Sequence, residues 1–372
     1  MYLKIKTKKE LIELVNYIEN SSISWLAIDT EFFRETTYYP ILSLVQIATS
    51  SQTWVIDAIS CGDIAPLKLT LENPNIKKIF HAGDQDWGIL KQYTGAKTWP
   101  FTDTQFMAAF AKFGHGASLE KLVSELLGRI IDKSQQKTNW INRPLKDEQL
   151  EYAAQDAKFV ASIYPILEQK LDGLGRTAWV YEEMESLFHK YDNAKFDKDW
   201  LKLCAKGMMK WPIPYYAYEL AKWREDWAKK LDVPRRHILA DALLEKVLQK
   251  NSVNHIESCG CLPEIYDDLK IFWQNMKKDK SELIENQKQL EQMVADHYQI
   301  FNRDQLKLIK VWQGKAKKIA DELVIPVFLF LNKKQIQQLA NKDSSAIIGW
   351  RLEQLRQFDL LKSMKGSEGE FG

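Results

Sequence analysis

The chain has 372 residues, 45% of them hydrophobic and 27% charged, a balance that excludes a disordered or collagen-like chain and, at about 150 residues per domain, a single small domain. Lys+Arg 52 against Asp+Glu 50 leaves a net charge of +2, so any nucleic-acid contact must come from local patches and not from a global positive field.

Met1–Glu10 lacks the apolar core of a signal peptide, and no apolar run reaches the roughly 18 residues of a membrane span. Four scattered cysteines (Cys61, Cys204, Cys259, Cys261) form no disulfide framework. A cytoplasmic chain with no membrane partner is expected.

In chain order, the first strand signal is Trp25-Leu-Ala-Ile-Asp-Thr-Glu31, an apolar run ending in acids. Leu42-Ser-Leu-Val-Gln-Ile-Ala48, Thr53-Trp-Val-Ile-Asp57 and Lys78-Ile-Phe-His81 follow as further strands separated by turn residues. Long helical patterns then run from Asp86 and from Ser118. Strands first and helices packed on them predict an α/β or α+β domain ending near Lys170. Beyond it the strand signal fades, and Leu220, Trp223, Trp227 and Leu231 recur at helical spacing, so the second half is expected to be nearly all helical.

That half carries an internal repeat. Ala228-x-x-Leu231-x-Val233-Pro234 recurs as Ala320-x-x-Leu323-x-Ile325-Pro326, each Pro followed by apolar residues at +5 and +10, and two similar helical modules are the simplest reading. Residues 1–170 carry 19 basic and 20 acidic side chains, whereas 195–250 carry 13 and 8, with Lys222, Arg224, Arg235 and Arg236 around the repeat. The helical half is therefore expected to grip a polyanion by its phosphates. A chain ending near Lys170 would, on that reading, still shorten small single-stranded oligonucleotides and lose its preference for long or structured RNA; the alternative is that the helical half buttresses the first domain, so that the truncated chain is unfolded.

The chemistry sits in three acidic motifs. Asp29 and Glu31 are two apart at a strand end and share a face, so both can meet one cation. Asp84 and Asp86 follow Phe80-His81 where a helix begins, and Tyr152 and Asp156 lie one helical turn apart. Hard divalent cations prefer such carboxylate oxygens, and two ions about 4 Å apart activate a water and neutralise a leaving oxygen in phosphodiester cleavage.

The span from Trp25 to about Lys170 resembles the Tyr-containing branch of the DEDD superfamily of 3′–5′ exonucleases. Asp29-x-Glu31 matches its first motif, Asp86 the acid of its second and Tyr152-x-x-x-Asp156 its third. Finer phrases are similar to bacterial ribonuclease D: Asp29-Thr-Glu-Phe-x-Arg-Glu, Phe80-His-Ala-Gly-x-x-Asp86, Asp132-Lys-Ser-x-Gln, and Trp140-x-x-Arg143-Pro-Leu running on to Gln149-Leu-x-Tyr152-Ala-Ala-x-Asp156. Leu220-Ala-x-Trp223-Arg224-Glu and Pro234-Arg235 resemble an HRDC module. The resemblance implies an α/β ribonuclease H-like exonuclease domain, a mixed sheet flanked by helices, followed by all-α HRDC-type helical domains. The expected boundaries are 1–170 for the exonuclease domain, 171–209 for a helical linker, 210–290 and 291–365 for the two HRDC modules, and 366–372 for a flexible tail.

It also implies the site. Asp29, Glu31 and Asp156 would hold one metal, Asp29 would bridge to a second ion that Asp86 supports, and Tyr152 would position the attacking water. Two divalent ions, Mg²⁺ or Mn²⁺ with Zn²⁺ or Co²⁺ as further candidates, are the implied cofactors. Asp84 is expected to be solvated. Phe32 or Phe33 would stack on the terminal base, the other being core, and Arg34 would meet a phosphate. His81 would approach the 3′ end or serve as hydrogen-bonded structure, and Arg143 would contact phosphate or pair with an acid of its own helix. His255, Cys259 and Cys261 are spaced too tightly for a usual zinc site and read as a loop, as does His115 between Gly114 and Gly116. The expected function is a metal-dependent 3′–5′ exoribonuclease that releases nucleoside 5′-monophosphates, acting as a monomer on RNA 3′ ends, especially tRNA precursors. A DNA exonuclease and a non-catalytic RNA-binding scaffold are the alternatives.

Overall fold

The computed structural model describes residues 1–136, 138–192, 200–203, 212–254, 256, 263–278, 281–297, 301–341, 343–345 and 347–358. His255, the three cysteines beyond Cys61 and the 366–372 tail lie outside these residues. The chain divides into two compact units. The first comprises Met1–Phe33, Leu42–Asn193 and Asn302–Gly372, and the second Arg34–Ile41 and Ala194–Phe301.

The first unit is built on a mixed sheet of β1 (Leu3–Ile5), β2 (Trp25–Phe33), β3 (Ile41–Ala48), β4 (Thr53–Asp57), β5 (Lys77–Phe80) and β6 (Phe101–Asp103), in the order β1-β4-β3-β2-β5-β6. The pairs β1/β4, β2/β5 and β5/β6 are parallel and β3/β4 is antiparallel. The register Ala27↔Ile79 aligns the carboxyl ends of β2 and β5, so Asp29 and the turn after Phe80 emerge at one edge. Buried Leu26, Ala27, Ile28, Leu44, Val45 and Ile79 form the core, as parallel strands covered on both faces require. The sequence pattern does not reveal β1 and β6, because three residues are too few for a period-2 signal.

Helices flank the sheet with legible start signals. Thr7 and Glu10 close a capping box on helix Lys8–Glu19, whose Leu11, Leu14, Val15 and Ile18 face inward. Ser118 caps helix Leu119–Leu127, which ends at Gly128 with φ +63°. The long helix Asp147–Gly173 packs on β2 and buries Ala153, Ala154, Ala157 and Val160.

The packing of the first unit does not end near Lys170. Helix Thr177–Asp192 and the module from Arg303 to Gln357 belong to the same unit. Trp350 stacks on Trp179 at 4.6 Å and 15°, and meets Phe110 edge-on at 5.4 Å. Arg176 donates to the carbonyls of Phe110 and Leu323 at 2.8 and 2.7 Å. Arg351 and the Trp350 indole converge on Glu183. Gly349 has φ +55°, a left-handed conformation that favours glycine. His115 is likewise engaged, edge-on to Phe328 at 4.4 Å.

The second unit has its own core, including Trp200, Tyr215, Leu220, Trp223, Leu244 and Leu269. The indole N–H groups of Trp223 and Trp227 both donate to Asp268, at 2.7 and 2.8 Å. The repeat has one local geometry. Helix Ile213–Leu231 ends on left-handed Asp232, and helix Arg303–Leu323 on left-handed Val324. Each is followed two residues later by Pro, a four-residue helix and then a longer one, Asp241–Lys250 or Lys333–Ala340. Among the described residues no helix is long and apolar enough to cross a membrane.

Candidate active site

Strand β2 delivers Asp29 and Glu31, both half-buried, to one face of its carboxyl end. Helix Asp147–Gly173 delivers Asp156 to the same place. One carboxylate oxygen from each of Asp29, Glu31 and Asp156 lies within 4.8 Å of the others. Burial, followed by the charges of Asp86 and Asp156, raises the Asp29 pKa well above the carboxylate range. Glu31 is raised in the same way, by burial and then by Asp29, Asp156 and Asp86. Burial lifts Asp156 to about 6, against an opposing hydrogen bond from Tyr152. No Lys or Arg offsets these three acids among the described residues. The cluster is uncompensated negative charge, the donor set and charge that a hard divalent cation fits.

Asp86 stands apart from that triad but is electrostatically joined to it. It occupies the first turn of helix Asp84–Thr94, which the Phe80-His-Ala-Gly turn launches. Gly83 is required there, since a Cβ would lie 2.6 Å from that of Phe80. Its N–H donates to Asp103 Oδ2 at 2.9 Å, fixing where the helix begins. Asp86 is buried and accepts a hydrogen bond from Thr30, whereas Asp84 is exposed. Burial lifts Asp86 to about 6 against the pull of Thr30 and its own N–H.

Tyr152 is half-buried, with its hydroxyl against Asp156. Burial, then Asp156 and Glu31, raises its pKa, so the phenol keeps its proton. Its ring packs with Leu44, Leu150 and Trp140, the Trp140 centroid being 6.3 Å away. The Trp140 carbonyl accepts from Ser43 Oγ and from Arg143 Nη1 at 2.5 and 2.7 Å. Gln149 of the helix holds the same loop through Thr138 and Asn139.

Arg143 departs from both of its expected roles. It lies before the helix, and its fork grips Asp57 of β4, Nε at 3.0 Å and Nη2 at 2.8 Å. Its remaining N–H groups reach Ser43 and the Trp140 and Ile141 carbonyls. All five donors of the guanidinium are thus occupied within the protein, and none is left for phosphate. Burial pushes the Asp57 carboxyl up, but hydrogen bonds from Arg143 and Ser60 outweigh it and hold the group low. Arg143→Ala should cost about 3–5 kcal/mol by leaving a buried carboxylate unpaired, read by urea unfolding at pH 7. The loss should shrink as pH falls through the Asp57 range, where protonation removes the stranded charge.

His81 Nδ1 lies 2.8 Å from Thr104 Oγ1, and that hydroxyl donates its proton to the Phe80 carbonyl at 3.0 Å. Nδ1 must therefore be the donor, which leaves Nε2 as the acceptor of a neutral ring. Burial lowers the His81 pKa and favours that neutral form, although Asp103 opposes it. Phe32 and Phe33 are half-buried, and Arg34 is exposed on the loop assigned to the second unit. Thr30, Asp103 and Thr104 escape sequence reasoning, which has only the Asp-Thr pair after β6 as a faint cue.

A family described as 3′–5′ exonuclease matches residues 2–172. A ribonuclease D of Bartonella henselae is 30% identical over 339 residues, covering 88% of this chain and 82% of its own. A ribonuclease D of Desulfotalea psychrophila is 35% identical over 246 residues, which cover 65% of each chain; one from Zymomonas mobilis is 38% identical over 228 residues, 60% of this chain and 58% of its own. The crystal structure of Escherichia coli RNase D, an exoribonuclease involved in structured RNA processing, shares the fold, with a TM-score of 0.76 over 98% of this chain and 99% of that one at 24% identity.

Proposed function

The chain belongs to the ribonuclease D family, and from that premise we propose that it is a metal-dependent 3′–5′ exoribonuclease that releases nucleoside 5′-monophosphates. The carrying observation is the convergence of Asp29, Glu31 and Asp156 within 4.8 Å, with no basic partner among the described residues. An RNA-binding scaffold would have no use for uncompensated carboxylates facing a polyanion.

In the proposed mechanism Asp29, Glu31 and Asp156, with Asp86 beside them, would hold the divalent metal. Such ions, Mg²⁺ or Mn²⁺, lower the pKa of water and neutralise charge on the leaving oxygen. Tyr152, whose hydroxyl lies against Asp156, orients the attacking water. Trp140, fixed by Ser43 and Arg143, keeps that ring in place. The water gives up a proton to solvent as its oxygen bonds to phosphorus, the bond to the 3′-oxygen breaks, and that oxygen takes up a proton from solvent, so that one water is consumed. Phe32 and the His81 Nε2 border the terminal nucleotide, and Arg34 meets an upstream phosphate. The natural substrates are 3′-extended RNAs such as tRNA precursors, met by a monomer in the cytoplasm.

Purified protein given 3′-extended tRNA and a matching DNA strand should shorten the RNA one nucleotide at a time, only with Mg²⁺ or Mn²⁺. Equal shortening of DNA would shift the reading to a DNA exonuclease. Tyr152→Phe should lower kcat by roughly 10²-fold and leave metal affinity unchanged, measured by calorimetry, because it deletes the hydroxyl and no ligand. A fall in metal affinity equal to that of Asp156→Asn would make Tyr152 structural instead.

A further inference from the structure

Within the second unit, the loop Arg34–Ile41 and the first helical module enclose an open cleft of about 620 Å³ lined by Arg34, Glu35, Tyr38, Lys202, Arg224, Arg235, Arg236 and Asp241 among others. Two of its arginines are neutralised by the protein. Arg224 is buried and paired with Asp241, and Arg235 is paired with Glu225. Arg34, Lys202 and Arg236 are exposed. Among the described residues Arg34 and Arg236 make no ion pair or hydrogen bond. Glu35 is the one unmatched acid on the lining, so the cleft keeps a positive excess although the whole chain is nearly neutral.

The cleft is built and held. Asp232 Oδ1 accepts the N–H groups of both Tyr38 and Tyr39 at 3.0 Å. The Tyr38 hydroxyl donates to Glu225, the carboxylate that also holds Arg235, and Lys229 sits 5.9 Å over the Tyr38 ring. The loop presenting Arg34 is therefore pinned to the module presenting Arg236. Arg34 is also only three residues beyond Glu31 in the chain, a span of at most about 11 Å.

We propose that this cleft binds the sugar–phosphate backbone of the RNA strand just upstream of its 3′ end, with Arg34 and Arg236 each taking a phosphate; the inference rests on the exoribonuclease reading. The guanidinium fork suits phosphate, and an open cleft with a polar lining suits a strand better than an apolar ligand. The site is composite: the sequence that leaves the catalytic strand supplies one wall and the helical module the other.

The test uses the full chain and a fluorescent single-stranded RNA, with binding read by anisotropy without divalent metal across a salt titration. Arg34→Ala/Arg236→Ala, which breaks no hydrogen bond or ion pair among the described residues, should reduce the slope of log K against log[salt] by about 1.4, near 0.7 per lost phosphate. Affinity at moderate salt should fall at least about tenfold. Lys246→Ala/Lys250→Ala removes the same charge from exposed positions outside the cleft and should leave the slope unchanged. An unchanged slope in the arginine variant, or equal losses in both variants, overturns the proposal. So does preferential capture of polyglutamate over RNA through the same arginines, which would make the cleft a protein-docking site. Metal-dependent RNA shortening by the wild type reports on the exoribonuclease reading separately: if it persists while the arginine variant keeps its slope, only the cleft assignment falls.

Discussion

Asp29→Asn will remove hydrolysis, by at least about 10³-fold or some 4 kcal/mol of barrier, while making the metal-free protein more stable at pH 8. The substitution keeps side-chain volume and removes a negative ligand from a cluster in which burial and the Asp86 and Asp156 charges already disfavour ionisation. A carboxyl whose folded pKa lies above its unfolded value, near 3.9, loses stability as pH rises between the two. Asn carries no such penalty. In EDTA the melting temperatures of wild type and variant should nearly coincide at pH 3 and separate in favour of the variant at pH 8. With Mg²⁺ the order should narrow or reverse, because only the wild type gains the full binding energy of the ion. Wild-type turnover by the variant would remove Asp29 from the metal site, and a lower metal-free melting temperature at pH 8 would show that the cluster is not repulsive.

The acids of this site are legible because local geometry alone brings them near: two positions on a strand share a face, and four on a helix stack. Asp86 is separable from Asp84 by motif spacing, and the structure gives the physical difference, one carboxylate buried against Thr30 and the other exposed. The groups that hold those acids are not legible. Thr30, Asp103 and Thr104 act across strands, and their partners depend on the β2/β5/β6 register, which no single segment encodes. Arg143 shows the same limit. A lone arginine near catalytic acids reads as a phosphate ligand until the fold places Asp57 of β4 within its fork.

The grouping of the helical modules into units does not follow from the sequence pattern. The repeat marks two helical modules, yet the surfaces that assign each module to a unit are scattered aromatics. Phe110, Trp179 and Trp350 are far apart in the chain and give no periodic signal, but they form one aromatic cluster. The Arg34–Ile41 loop follows the catalytic strand in sequence and packs instead with the first module, through Asp232 and Glu225.

That grouping favours the buttress alternative for truncation and gives the second large prediction. A chain ending near Lys170 loses Arg176, Trp179 and Trp350, stripping cover from Phe110, which is fully buried in the complete fold. Such a fragment should be insoluble or unfolded by circular dichroism and should not serve as a minimal nuclease. The single substitution Trp350→Ala isolates the cause. It deletes an indole that is 1% exposed, its stack on Trp179 and its hydrogen bond to Glu183. The cost should be about 3–5 kcal/mol, or roughly 10 °C in the melting temperature of a unit this size. Trp350→Phe, which keeps an aromatic face but no N–H, should recover part of that loss. None of the catalytic carboxylates is touched, so the variant should retain near wild-type kcat well below its melting temperature. Unchanged unfolding in Trp350→Ala would make the second module an appendage, whereas lost activity in a fully folded variant would move it from buttress to catalytic partner.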